Sequence, residues 1–419
     1  MQEVPMSVEI IAIGHEVLHG MVLNTNAAFI SAELLKAGWN VTRHSVLPDD
    51  PEPLEAGLRE ALQRADIVIT TGGLGPTCDD ITRNVASKIF DSPLKRDPIL
   101  AEELERRFGK NLLSLEDQSL APVKAKRLSN RIGTASGWLF SEKDHHLAIL
   151  PGPPREMAAM LTDVLLPQIS QVIGQPPKMS FVKIAHLCCL REDDVDPLLR
   201  KLSVDFPTIH VGIYSGYGAL TVRFSGQTER EVESCQQALE RDFATYLLES
   251  THGKIEEAVH HWFKDHKKTL AFAESCTGGG KLASQITALP GASEVFLGSL
   301  VVYADQLKID ILGVSENTLR THGAVSGEVV QEMVAGVFKV TRADWAIAVS
   351  GVAGPTGGSS DKPVGTVWGA IGERGKPMEV AHMFLPATRE TIIAVSTNRL
   401  LGALWRKVRY NVPFRSFER

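Results

Sequence analysis

A multidomain α/β protein is what this sequence predicts, on three observations. Apolar runs of strand length alternate with helix-spaced segments near both ends of the chain, and glycine-rich turns follow two of those runs directly. The 419 residues also exceed what a single hydrophobic core organises.

The alternation starts at Val8–Gly14, a buried strand, followed by helical spacing from Asn26 to Lys36 that Gly38 terminates. A strand at Asn40–Val46, a helix through Leu54–Ala65 and the apolar run Asp66–Thr71 continue it. Repeated β-α units of this kind form a parallel, doubly wound sheet. Leu147–Leu150 supplies the next strand, and Pro153-Pro154 suits the first turn of the helix after it. The first domain, 1–170, closes near Ile169, and Gly174 to Lys178, with two prolines and a glycine, has the character of a linker.

A small α+β domain, 178–250, follows: strand Phe181–Leu187, helix Asp193–Leu202, two strands around Tyr214–Phe224, and helix Thr228–Leu248. It holds no evident chemical centre, and the adjacent Cys188 and Cys189 read as small packing residues. The third domain, 252–419, brings strands at Thr269–Ala273, Phe296–Tyr303, Trp345–Val349 and Val364–Ile371, a helix at Ser326–Val337 and a final helix from Thr388.

Composition narrows the function. A net charge of -6 without long Lys/Arg runs argues against nucleic acid as a partner. Five cysteines with no CxxC pair fit a reducing cytoplasm, and no run reaches membrane-spanning length. A soluble cytoplasmic protein acting on small molecules is expected.

Two glycine-rich turns carry the chemistry. In GGLGPTCDD, Gly72, Gly73 and Gly75 allow positive φ and close backbone approach to a ligand. Thr77, Asp79 or Asp80 can cap the next helix, whose N-terminus favours phosphate, especially if a divalent cation offsets the aspartates. Glu16 and Asn26 fall at the same sheet edge, where open α/β sheets bind ligands.

In AESCTGGG, Ser275 lies at a strand-to-helix turn, where a hydroxyl can project above the sheet edge and helix-start amides can stabilise an oxyanion or a phosphate. Tyr303 and Lys308 can return to the same crevice, and a buried lysine can lose its proton and act as a base. Ser350 lies at the exit of another strand, before a loop with Gly351, Gly354, Gly357 and Gly358, in which Thr356 and Lys362 can meet a phosphate. Cys276 is the rival nucleophile.

With MVLNTN and LPGPPREM, the first glycine turn resembles the molybdopterin-binding fold as it occurs in the CinA (competence/damage-inducible protein A) family. AESCTGGG, GASEVFLGSLVVYADQLK, GAVSGEV and SGVAGPTGGSSDKPVGTV resemble the C-terminal domain of that family. The resemblance implies a molybdopterin-binding-like α/β sandwich, a small middle domain and a CinA-type α/β domain. It also implies nicotinamide mononucleotide deamidation at the C-terminal site, needing no metal or redox cofactor, and a homodimer. Ser275 matches the nucleophile and Tyr303 and Lys308 its activating partners. Glu274, Thr277, Gly278, Gly279, Ser350, Gly351, Gly354, Thr356 and Lys362 are the substrate-binding candidates.

For the N-terminal site the resemblance implies metal-dependent ADP-ribose pyrophosphatase activity. Asn26, Gly72, Gly73, Gly75 and Thr77 would hold the nucleotide, and Glu16, Asp79 and Asp80 a divalent metal. The chain departs from the family where His15 and Asn24 replace aspartates, which weakens a hard-cation site, and where Asp305 replaces an asparagine near the lysine.

Overall fold

The computed structural model describes residues 6–109, 111–143, 145–172, 181–250 and 252–415, and the linker expected at Gly174 to Lys178 lies outside them. The chain forms two compact units, Met1–Met179 and Ser180–Arg419.

In the first unit a six-stranded sheet runs in the order Val41–Leu47, Val8–Ile13, Ile67–Thr71, His145–Leu150, Gly137–Glu142, Lys126–Leu128. The first four strands are parallel, as expected. The last two pair antiparallel, so the sheet is mixed rather than wholly parallel. Both faces are covered, because successive side chains alternate sides. Ile11, Val68, Leu147 and Ile149 pack in one apolar layer and Ile10, Ile69 and Ala148 in the other. Helix Thr25–Lys36 begins where the Asn24 side chain accepts the Ala27 amide, so Asn24 is an N-cap in this chain.

The second unit holds a three-stranded antiparallel sheet, His210–Ser215, Ala219–Gly226, Phe181–Cys188, and a five-stranded sheet. The latter runs Phe296–Val301, Leu270–Glu274, Trp345–Gly351, Thr366–Glu373, Glu379–Phe384, with the first three strands parallel and the last two antiparallel. Its faces differ in kind. Ala271, Ala273, Ala346 and Ala348 present small side chains to helix Gly327–Thr341, while Phe272 and Ile347 face the core shared with helices Ile255–Asp265 and Arg389–Tyr410.

The middle segment has its own core around Leu187, Val222 and Leu239. It is nevertheless fastened to the final helix within the same unit: Trp405 Nε1 donates to Leu247 O at 2.7 Å and Arg406 Nε to Thr245 O at 2.9 Å. Cys188 joins that shared core, and Gly402 is where the helix passes the cysteine pair: a Cβ there would lie 2.7 Å from Cys189 Sγ.

Candidate active site and the N-terminal cavity

Strand Leu270–Glu274 is central among the three parallel strands, with Glu274 in register with Val301 on one side and Val349 on the other. The residues that follow all three therefore emerge at one edge. Ser275 is the first residue past the strand, its amide bonded to Val349 O at 3.1 Å. Its hydroxyl makes no hydrogen bond among the described residues.

What holds this turn is Glu274. Its buried carboxylate accepts from Thr277 Oγ1 (2.6 Å), Leu282 N (2.9 Å), Ala283 N (3.1 Å) and Ser299 Oγ (2.7 Å). Glu274 and Thr277, expected to touch substrate, are thus both buried and occupied within the fold, tying the helix Lys281–Thr287 to the strand end. The turn itself needs glycine: Gly278, Gly279 and Gly280 take φ of 67°, 87° and 120°. Among the described residues none of the amides of 276–280 donates to a backbone carbonyl, which leaves consecutive N–H groups for an anion.

Lys308 is 1% exposed, on helix Asp305–Leu312. Its ammonium donates to Tyr303 O at 3.2 Å and pairs with Asp305 at 3.1 Å, leaving a third N–H uncommitted. Its charge is felt at Cys276, so it lies within electrostatic reach of the serine turn. Tyr303 holds Lys308 through its carbonyl, whereas its phenol, on a residue 66% exposed, makes no hydrogen bond among the described residues. Cys276 points the other way, into the apolar core, and burial pushes its thiol up to about 12.

The loop after Trp345–Gly351 divides. Ser350 is buried and donates to Ala324 O at 2.7 Å, fixing the neighbouring loop rather than facing ligand. Lys362 is turned to His322 O, away from a free role at a phosphate. Thr356 stays exposed, and Gly351 packs so closely that a Cβ would lie 3.1 Å from Cys276 Sγ. Gly354 O accepts from Arg389 Nη1 at 2.8 Å. Arg389, whose charge also reaches Cys276, escaped the sequence reading because it lies 114 positions beyond Ser275 with no motif around it.

In the first unit a cavity of about 490 Å³ opens at the strand ends, lined by Gly72, Gly73, Gly75, Asn26, Glu16, Asp79 and Asp80 among others. The glycines are structural necessities: a Cβ at Gly72 would collide with Ile13 O and one at Gly73 with Thr82 Oγ1. Asn26 Nδ2 donates to Thr71 Oγ1 at 2.9 Å and Gly152 O at 2.7 Å, while its buried Oδ1 has no partner.

The expected metal ligands do not converge. Asp80 accepts both the amide and the hydroxyl of Thr77, the Glu16 carboxylate lies against Gly14, and His15 pairs with Asp49 and Asp50. Among the described residues no group of three or more His, Cys, Asp or Glu can hold a metal ion. Asp49, which carries no motif in the sequence, and Glu156, within LPGPPREM, bring the carboxylates lining the cavity to five among the described residues, none of which there is Lys or Arg. Nor is any described helix long and apolar enough to cross a membrane.

Comparison with known proteins gives two matches to family models. Residues 252–408 match the family described as "CinA C-terminal domain" and residues 9–171 the one described as "Probable molybdopterin binding domain". A "Putative competence-damage inducible protein" of Moorella thermoacetica is 34% identical over 413 residues, spanning 96% of this chain and 99% of that one. A "CinA-like protein" of Thermotoga neapolitana is 36% identical over 86% of this chain and 88% of its own length. The crystal structure of a CinA superfamily protein from Klebsiella pneumoniae is 35% identical, covers 37% of this chain and 96% of its own, and has a TM-score of 0.36.

Proposed function

Since the chain belongs to the CinA family, with a molybdopterin-binding-type N-terminal domain and a CinA C-terminal domain, we propose that the C-terminal site hydrolyses the carboxamide of nicotinamide mononucleotide. The observation that carries this is the uncommitted Ser275 hydroxyl, set at a strand end beside free turn amides, with the buried Lys308 on the helix that follows the neighbouring parallel strand. With Lys308 as the general base, the hydroxyl proton passes to its amine as Ser275 Oγ bonds to the carboxamide carbon. The turn amides stabilise the oxyanion. The C–N bond then breaks, ammonia leaves with the proton from Lys308, and water adds to the acyl-serine to give nicotinic acid mononucleotide and regenerate Ser275. Glu274 and Thr277 act as positioning residues.

The test is to incubate purified protein with nicotinamide mononucleotide and measure ammonia and nicotinic acid mononucleotide. Both are expected in equal amounts, and Ser275→Ala should lower turnover by about a thousandfold or more. A folded, unmutated protein that releases neither would defeat the reading.

In the N-terminal cavity the expected metal ligands are engaged with other partners and form no metal-holding group among the described residues, so no hydrolytic step is derived there. Its glycine-lined strand ends and the unpartnered Asn26 Oδ1 favour binding of a ligand there.

A further inference from the structure

A second cavity, of about 630 Å³, lies between helix Lys281–Thr287 and the first turns of helix Arg389–Tyr410. Tyr217, from the turn of the middle hairpin, forms its third wall. That volume is in the range of small-molecule sites, about 300–1,000 Å³. Its walls are pinned in place: Gln285 Nε2 donates to Asn398 Oδ1 at 2.6 Å, and Asn398 Nδ2 to Tyr217 O. The Thr397 hydroxyl is turned to the carbonyls of Ile393 and Ala394, which leaves Ile393, Ala394 and the half-exposed Tyr217 ring as apolar surface.

The two ends differ. Gln285 pairs with Asn398 at one, while at the other a Cβ on Gly278 would lie 3.5 Å from Ile393 Cδ1, so the serine turn abuts the cavity wall. Lys281 and Arg389 stand at that second end, against a single carboxylate, Glu390. The Lys281 ammonium has no partner among the described residues. An aromatic and aliphatic slot ending in two cations suits a flat ring that carries an anion.

We propose that this cavity is a nucleotide pocket, with the base against Tyr217 and Ile393 and a phosphate at Lys281 and Arg389. Such a nucleotide has two sources: the second half of a dinucleotide substrate whose amide reaches Ser275, which rests on the function proposed above, or a separate mononucleotide effector, which does not.

The experiment titrates AMP into the full-length protein and its Ser275→Ala, Lys281→Ala and Tyr217→Ala variants by calorimetry, with circular dichroism as the folding check. Saturable binding is expected with and without Ser275, weakened about tenfold or more by each of the other two substitutions. Absence of AMP binding to the unmutated protein, or binding indifferent to both Lys281 and Tyr217, overturns the pocket. In a parallel arm NAD and nicotinamide mononucleotide are compared as substrates. NAD deamidation that falls selectively in Lys281→Ala identifies a dinucleotide substrate, and AMP-dependent mononucleotide turnover with NAD inert identifies an effector. Should no amide be hydrolysed at all, the calorimetry still decides the pocket, so the two readings fail separately.

Discussion

At Glu274 one carboxylate accepts four hydrogen bonds while exposing nothing to solvent. Charge-assisted bonds of this kind are individually worth about 1.5–3 kcal/mol, and replacing one acceptor oxygen by a donor sets an N–H against a backbone N–H. Glu274→Gln should therefore lower stability by about 2–4 kcal/mol, read as a fall in the urea midpoint, and depress amide turnover along with it. An unchanged midpoint would mean that the turn is held by something else. For Cys276 the expectation is the opposite. A thiol buried in the core and held neutral is a poor nucleophile, so Cys276→Ala should retain amide turnover within about threefold; near-complete loss with the protein folded would reinstate the cysteine. From sequence, Ser275 stands out as a hydroxyl at a strand-to-helix turn and Lys308 as a cation five residues past Tyr303, but Glu274 and Thr277 cannot be told there from ligand-facing residues. A strand's last side chain turns inward or outward according to partners such as Ser299 and Leu282 that are distant along the chain or featureless in it.

At the level of elements, the central parallel strands are legible as short, mostly apolar runs, such as Ile67–Thr71 and Leu270–Glu274, that open into glycine-containing turns. Lys126–Leu128 and Gly137–Glu142 were not: the first has three residues, and the second pairs at the sheet's antiparallel side, where alternation is interrupted. Glu379–Phe384 was missed for a similar reason, its burial alternating only weakly along an edge. The final helix was legible, but not its docking, since Gly402 signals helix weakness to propensity and close approach only in three dimensions. Gly402→Val drives a branched side chain into Cys189 and Cys188. It should cost about 1–3 kcal/mol by thermal or urea unfolding, with Cys189→Ala restoring part of the loss. Additive effects in that double-mutant cycle would refute the contact.

For the molecule as a whole, buried thiols set an alkaline limit, Cys235 and Cys276 among them. Burial raises Cys276 from an ordinary 9.0 to about 12 and Cys235 from 9.0 to about 11. Above pH 9 the unfolded chain gives up these protons while the folded chain keeps them, so stability is full below pH 9 and declines from there towards pH 11–12. Unfolding free energies measured from pH 8 to 11 should show that slope, flattened in Cys235→Ala/Cys276→Ala; an equal slope in the double variant would assign it elsewhere. The N-terminal cavity yields a further expectation. Because Asp80 is held by Thr77 and no carboxylates gather into a metal-holding group among the described residues, it should release no AMP from ADP-ribose in magnesium or manganese, and metal-dependent AMP production would correct that reading.

The bond from Cys188 to Gly402 O joins residues 214 positions apart. At about 5–20 residues per second, a ribosome needs on the order of 10–40 s to make the intervening chain. Throughout that interval the nascent middle segment, complete in its own three strands, presents the face around Cys188 and Leu248 that Leu401, Leu404 and Trp405 will later cover. Helix Arg389–Tyr410, translated after the rest of the second unit's core, is thus the one that seals that unit, which makes the half-finished polypeptide a natural client for chaperones and makes premature termination before residue 389 costlier than the loss of one helix would suggest.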